Sequence, residues 1–311
     1  MVGNLGGFNP YVDMINIEIV NFYYGINCNL SCNGCFSGSD IIKHTNYDPS
    51  LDSVLKSIED LAKLATVKRM ITLIGGEPLM YWDKVVPIAR HVRKYFPNVN
   101  INLTTNGFRL KKYQDELIEL MIELQPFRIS LTDHLSEVDY EDMLAVKYYT
   151  QATEFLSDPR LNKIHEYHYD IPNNRVNIHI GNYAEGFKAQ YLRKDGKLKP
   201  FATNDPEGSM REGCTGDVCS AVVDSKLYKC PRFYVLPLVL KERGQLDDPD
   251  WQKYLNYQSI DLTNCTQEEL EYFENNQGKP IEECDMCPNN KIINISLIPH
   301  TKQNIIPQKN V

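Results

Sequence analysis

Cys28, Cys32 and Cys35 fall within eight residues of the stretch "NCNLSCNGCF" (27–36), and thiols so closely spaced can hold a metal. A structural zinc site takes four ligands. Three leave either a fourth partner elsewhere in the chain or a coordination position open to something that reacts. Thiolates at i, i+4 and i+7 in a loop can each bind one iron of an iron–sulfur cube. The fourth iron then has no protein ligand, and an open metal position is the mark of a catalytic site.

The remaining cysteines form a second group. Cys214, Cys219 and Cys230 stand in "CTGDVCSAVVDSKLYKC", Cys265 stands alone in "TNCTQEE", and Cys284 and Cys287 form the pair in "CDMC". Nine cysteines is an odd number, and their clustering speaks for metal binding or catalysis in a reducing compartment over disulfides. Structural zinc is the competing assignment for the second group, because C-x2-C pairs serve zinc well. His165 and His168 in "HEYHYD" can act on a substrate, or can be solvated loop histidines. The 19 tyrosines can line a pocket or pack half-buried, as scattered tyrosines do.

The elements that must position these residues follow from periodicity. "NIEIVNFYYG" (15–24) alternates apolar and polar positions and ends against the first cysteine loop, which predicts a strand. "SLDSVLKSIEDLAKLAT" (50–66) spaces its leucines, Val54 and Ile58 as one helical face. "RMITLIGGEP" then reads as a buried strand entering a glycine turn, "WDKVVPIARHVRKYF" as a helix flawed at Pro87, and "NVNINLTTNGF" as a strand. "KKYQDELIELMIEL" is a predicted helix and "FRISLTD" a further strand. Such a β–α series predicts a parallel sheet or partial barrel, in which the loops after the strands build the site. The cysteine loop, "GGEP", "TTNG" and "LTDH" all fall at strand ends and should converge on one rim. Beyond about residue 156 periodicity is poor apart from a strand at "RVNIHI" (175–180). A hairpin is predicted around Asp224–Ser225, with helical stretches near 250–257 and 266–275.

The chain has 311 residues, 42% of them hydrophobic, and a formal net charge of −8. That is enough for one large α/β domain with a smaller appendage, and it speaks against a nucleic-acid surface. No apolar run is long enough to span a membrane, and residues 1–15 lack the features of a signal peptide. The expectation is a soluble, cytoplasmic protein with neither a membrane nor a nucleic acid as partner.

C-x3-C-x2-C at the end of a first strand and "GGEP" after a second, in that order over residues 15–135, resemble the radical S-adenosylmethionine (radical SAM) enzymes. The resemblance implies a partial (βα)6 barrel. It also implies a 4Fe–4S cluster on Cys28, Cys32 and Cys35, with its open iron chelated by the methionine end of SAM. An electron passed to SAM then yields a 5′-deoxyadenosyl radical that takes a hydrogen from the substrate, and a flavodoxin or ferredoxin is the implied electron donor. Gly75 and Gly76 would let backbone carbonyls approach the SAM ammonium and Glu77 would complement its charge. Thr104, Thr105, Asn106, Ser130 and Asp133 would lie near its ribose and carboxylate. "TTNG" can equally be an ordinary turn and Asp133 a helix N-cap. Family members usually carry an aromatic residue just before the third cysteine; here Gly34 stands there, and Phe36, just after, is the candidate for the adenine.

The second cysteine group looks like the auxiliary-cluster region of the SPASM/twitch branch, and around Cys230 it is similar to anaerobic sulfatase-maturating enzymes. Six cysteines remain for it, which fits one auxiliary 4Fe–4S cluster, on Cys214, Cys230, Cys284 and Cys287 with Cys219 as the replacement for one of them. In the sulfatase-maturating enzymes an aspartate that serves as base follows the equivalent cysteine. Here Pro231 and Arg232 follow, so that chemistry lacks its proton acceptor. Arg232 can instead clamp a carboxylate or phosphate of the substrate, or be an ordinary ion-pair arginine. Cys219 and Cys265 are spare thiols able to donate hydrogen. The implied divisions are a barrel at 1–210, an auxiliary iron–sulfur domain at 211–290 and a tail at 291–311. The expected substrate is a peptide, oxidised, cross-linked or epimerised; the alternative is a small polar metabolite such as an aminocyclitol or sugar. Only 27 residues precede Cys28, so no leader-recognition domain is expected ahead of the core and a peptide would need a recognition partner. A zinc-stapled binding module without redox chemistry is the reading from another functional class.

Overall fold

A computed structural model of the chain describes residues 13–30, 32, 35–42, 45–133, 143–182, 191–214 and 219–289. The expected tail at 291–311 and the position of Gly34 lie outside the described residues. β1 (Ile15–Gly25) leads into the first cysteine loop. Then come α1 (Leu51–Leu64), β2 (Ala65–Gly75), α2 (Trp82–Tyr95), β3 (Asn100–Thr105), α3 (Gln114–Glu123), β4 (Phe127–Asp133) and α4 (Met143–Leu156). Five short strands follow: β5 (Asn162–His165), β6 (His168–Asp170), β7 (Val176–Asn182), β8 (Leu192–Lys194) and β9 (Lys197–Lys199). The C-terminal part holds β10 (Cys219–Val223), β11 (Lys226–Tyr228), α5 (Pro231–Glu242), β12 (Ile260–Asp261) and α6 (Gln267–Asn276).

The local causes are legible. α1 begins where the Ser50 hydroxyl accepts the Ser53 N–H at 3.1 Å, an N-cap, and it buries Val54, Ile58, Leu61 and Leu64 at helical spacing. α6 begins with a capping box between Thr266 and Glu269. The turn between β10 and β11 has Asp224 and Ser225 at φ 49° and 56°, the left-handed pair that a two-residue hairpin needs. That turn is anchored on α1: Ser225 donates through its N–H to the Ser57 hydroxyl and through its own hydroxyl to Asp60.

One ten-stranded sheet organises the molecule, in the order β12-β11-β10-β1-β2-β3-β4-β7-β6-β5. Its six central strands, β10 through β7, run parallel, as the expected mixed α/β partial barrel requires. Five of them stand in chain order. The sixth, β10, comes from the C-terminal region and pairs with β1 from Ile19 to Phe22. Antiparallel hairpins flank this core on both sides.

β1 is covered on both faces. Val20, Phe22 and Tyr24 belong to a large core that includes residues of α1, α2 and α3. Tyr23 joins a second core with Ala221, Val223, Leu236 and Trp251. Two buried faces explain the near-continuous apolar run of this strand. α5 escaped the periodicity reading. Seven of its twelve residues are buried and Pro237 sits inside it, so it shows no polar stripe.

Candidate functional site

The ends of β1, β2 and β3 meet at one rim because the three strands are parallel neighbours in the sheet. Cys28, Cys32 and Cys35 line a single cavity of about 200 Å³ there, together with Gly75, Gly76 and Glu77. Thr104, Thr105 and Asn106 from the end of β3 line it too, as does Phe36. Nine residues from three separate motifs and Phe36 thus surround one space.

The glycines are there for the backbone. A Cβ on Gly75, whose φ is 153°, would stand 1.9 Å from the Gly25 carbonyl oxygen, and one on Gly76 would stand 1.7 Å from that of Asn27. The two chains are stitched at this point: Gly76 N–H donates to Gly25 O at 2.9 Å and Glu77 N–H to Asn27 O at 3.1 Å. The Gly76 carbonyl accepts the Tyr24 hydroxyl at 2.9 Å. The pair's visible work is therefore to let the "GGEP" turn lie flat on the entrance of the cysteine loop.

Glu77 is 1% exposed and takes three donors. Oε1 accepts from the Thr105 hydroxyl at 2.6 Å and from Leu79 N–H at 3.1 Å, and Oε2 from Asn106 N–H at 2.8 Å. Burial nonetheless pushes its carboxyl up to about 7, because desolvation outweighs these bonds. Asn106 reaches from the same turn to the first thiol: its Nδ2 donates to Asn29 Oδ1 at 2.8 Å and to Cys28 Sγ at 3.6 Å. "TTNG" is thus a turn whose side chains tie Glu77 to the cysteine loop. Burial pushes the thiols of Cys28, Cys32 and Cys35 up as well, with Glu77 adding to the effect on Cys28 and Asp40 to that on the other two. Such thiols ionise when a metal takes the place of the proton.

Ser130 lies one strand further, and its hydroxyl donates to Asn102 Oδ1 at 2.9 Å. The side chain that β4 sends into the cavity wall is Thr132; the side chain of Asp133 lies outside the described part. Two residues that sequence reasoning missed brace the loop from behind. Asp48 accepts the Ile26 N–H at 2.7 Å and the Tyr81 hydroxyl at 2.6 Å, and Tyr81 Oη in turn accepts the Asn27 N–H at 2.9 Å. They stand far from the cysteines in sequence, and no local signal announces them.

The second thiol group surrounds its own cavity, of about 50 Å³. Cys214, Cys230, Cys284 and Cys287 all line it, with Lys229 and Phe233. A single 3-10 turn, Glu282–Met286, carries Cys284, and Cys287 closes it with an N–H bond to the Cys284 carbonyl. Cys219 is elsewhere, at the start of β10, where its sulfur accepts the Asn21 Nδ2–H at 3.0 Å. Cys265 packs against the large core. Among the described residues no three His, Cys, Asp or Glu side chains converge closely enough for a single metal ion. The thiols of each group stand around a cavity, which suits a polynuclear cluster.

Arg232 is 2% exposed. Its guanidinium lies 4.5 Å from the centre of the Tyr191 ring, and Cys230 and Cys287 are its other acidic neighbours. His165 and His168 sit on the β5–β6 hairpin with rings 6.3 Å apart, at the sheet edge opposite the one formed by β12. No helix among the described residues is long and apolar enough to cross a membrane.

Comparison with known proteins adds four findings. The chain is 29% identical over 100 residues to the 7,8-dihydro-6-hydroxymethylpterin dimethyltransferase of Methanocaldococcus jannaschii, covering 32% of this chain and 18% of that protein. It is 31% identical over 114 residues to the GTP 3′,8-cyclase of Peptoclostridium acidaminophilum, covering 36% of this chain and 33% of that protein. The chain thus spans a third or less of the curated relatives it matches. The crystal structure of BtrN in complex with AdoMet and 2-DOIA aligns over 89% of this chain and 96% of its own, at 12% identity and a TM-score of 0.46. The model of the Radical SAM superfamily matches residues 22–152, the stretch that holds the three clustered thiols, "GGEP" and "TTNG". That match covers less than half of the chain and ends before the second group of cysteines.

Proposed function

We propose that this protein is a radical SAM enzyme with one auxiliary cluster. The observation that carries the reading is the single cavity shared by Cys28, Cys32, Cys35, Glu77 and Asn106. These residues suit the group the family implies: three thiols around one space can hold three irons of a 4Fe–4S cluster and leave the fourth for SAM. When bound, such a cluster supplies the electron that cleaves SAM and starts hydrogen abstraction from the substrate. The chain's own residues bind and orient. Glu77 presents a buried carboxylate to the ammonium of SAM, and Thr105 and Asn106 fix that carboxylate. Asn106 also steadies Cys28. Phe36 offers an aromatic face to the adenine, and Thr104 and Thr132 offer hydroxyls on the far wall.

Cys214, Cys230, Cys284 and Cys287 hold the auxiliary 4Fe–4S cluster in this proposal. Four thiolates leave no open iron, so that site accepts electrons or staples the fold and does not cleave SAM. The proposed substrate is a peptide, on the ground that many SPASM/twitch enzymes modify peptides, and the proposed reductant is a flavodoxin or ferredoxin. Anaerobically reconstituted protein given SAM and dithionite should release 5′-deoxyadenosine. Replacing Cys28, Cys32 and Cys35 together by alanine should abolish the release; cleavage that persists in that variant would overturn the proposal. Metal analysis separates it from a zinc-stapled module, since about eight irons per chain are expected for two 4Fe–4S clusters.

A further inference from the structure

The buried arginine beside the second thiol group is a costly feature. A charge taken out of water is kept only where the surroundings compensate it, and Arg232 is among the largest fully buried side chains of the protein. Its place is set by α5. Cys230 is the N-cap of that helix, and the backbone N–H of Arg232 donates to the Cys230 sulfur. The guanidinium lies over the Tyr191 ring at 4.5 Å and is hydrogen-bonded to Tyr191, and the thiols of Cys230 and Cys287 are near enough to act on its charge.

We propose that Arg232 is a positioning residue for the second cluster: its buried cation, together with the first turn of α5, favours the reduced state of the group held by Cys230 and Cys287. The inference rests on the proposed auxiliary cluster and goes beyond it by naming what sets that cluster's reduction potential. Reduction adds negative charge to a site already built from thiolates. A fixed cation in a low-dielectric surround stabilises the added electron, and hydrogen bonds to the sulfurs act in the same direction. Arginine suits this work because it never loses its charge at the pH of the protein.

Arg232 is the fully buried cation beside this cavity, and the other charges around it are half-buried or paired. Lys229 is a second, half-buried cation that lines the cavity and acts on Cys214, Cys230 and Cys284, with its ammonium held on the carbonyls of Asn276 and Gln277 at 2.6 and 2.7 Å. Glu283 also lines the cavity, at a partly exposed position, where water screens it. Asp285 is buried but paired with Lys253 at 2.9 Å. The same placement gives a role to the arginine of "CPR". The residue two after the cysteine is a buried cation lying over Tyr191, and it lines neither of the two cavities described.

The test is a redox titration of the loaded enzyme without SAM, followed by electron paramagnetic resonance, on wild type, Arg232→Gln and Arg232→Lys. Iron and sulfide analysis comes first. Wild-type protein that loads only one cluster refutes the auxiliary-cluster reading itself and leaves no midpoint to shift. With two clusters loaded, Arg232→Gln should make reduction of one of them at least tenfold less favourable, about 59 mV for a one-electron couple. The other midpoint should stay in place, and Arg232→Lys should recover most of the loss. An unmoved pair of midpoints in Arg232→Gln would overturn the proposal. Should Arg232→Gln fail to retain the second cluster, Arg232→Lys decides. Full iron and a near-normal midpoint in the lysine variant mean that positive charge is what the site needs, and equal loss in both variants means that Arg232 is packing only.

Discussion

Glu77 meets two opposed demands: its position at the rim calls for a charge, and its burial resists one. The folded carboxyl stands at about 7, above its ordinary value of 4.5, so the folded state holds this proton more tightly than the unfolded chain does. Its contribution to stability is complete below the unfolded value and is lost as the pH rises through 7. A displacement of that size is worth roughly 3 kcal/mol at most. In metal-free protein the melting temperature of wild type, relative to Glu77→Gln, should therefore fall between about pH 5 and about pH 8; a difference that stays constant with pH would contradict the buried-carboxylate account. Glu77→Ala should be worse than Glu77→Gln at every pH. It leaves the Thr105 hydroxyl and the N–H groups of Asn106 and Leu79 without their acceptor, at roughly 1–3 kcal/mol for each buried group. Binding of SAM, read by isothermal calorimetry on the iron-loaded protein, should weaken in both variants. Much of this was visible in the sequence: Cys28, Cys32, Cys35 and Glu77 stand in compact local motifs. Asp48 and Tyr81 were not visible, because their work is to hold backbone groups of residues far away in the chain.

Among the elements, the "GGEP" turn tolerates least. A methyl group on Gly76 would meet backbone, which cannot swing aside as a side chain can. Gly76→Ala should cost more than ~4 kcal/mol, the range reserved for strain and broken buried networks, or should strip iron from the first site. Gly196 is the control. Its φ of 75° is strained for alanine, but nothing lies within 4 Å of the added carbon, so Gly196→Ala should cost only about 1 kcal/mol. Urea denaturation of the two variants beside wild type checks the contrast, and equal losses would refute it. Legibility at this scale followed the exposure of each element. α1, α2 and α3 each bury one face and show it in their spacing. The Asp224–Ser225 turn announced itself through residues that tolerate a left-handed backbone. α5 did not, because a helix packed on most sides has no polar stripe to reveal it.

For the whole molecule, the sheet is continuous across the expected boundary near residue 210, since β10 beyond it lies beside β1. β10 pairs with β1 along Ile19 to Phe22, and Val222 and Leu227 belong to the same core as α1. Parallel pairing between strands some 200 residues apart leaves no trace in local sequence, so this joint could only be seen in three dimensions. A fragment ending at residue 210 would expose the edge of β1, an apolar strand with unpaired N–H and C=O groups. It should aggregate or stay unfolded, and a monodisperse, folded fragment by size-exclusion chromatography would show the joint to be dispensable. Replacing Cys284 and Cys287 by alanine in the full chain should remove about four irons; unchanged iron would contradict a second cluster. The β1–β10 joint also bears on how the protein fails. Trp82 belongs to the first core and Trp251 to the second, and both cores lean on the same strand from its two faces. Heat or oxygen damage that begins at one of the two proposed cluster sites should loosen β1 and with it the other site. Fluorescence from the two tryptophans, the far-ultraviolet signal and the visible absorbance of the iron should then fade together in a single cooperative event.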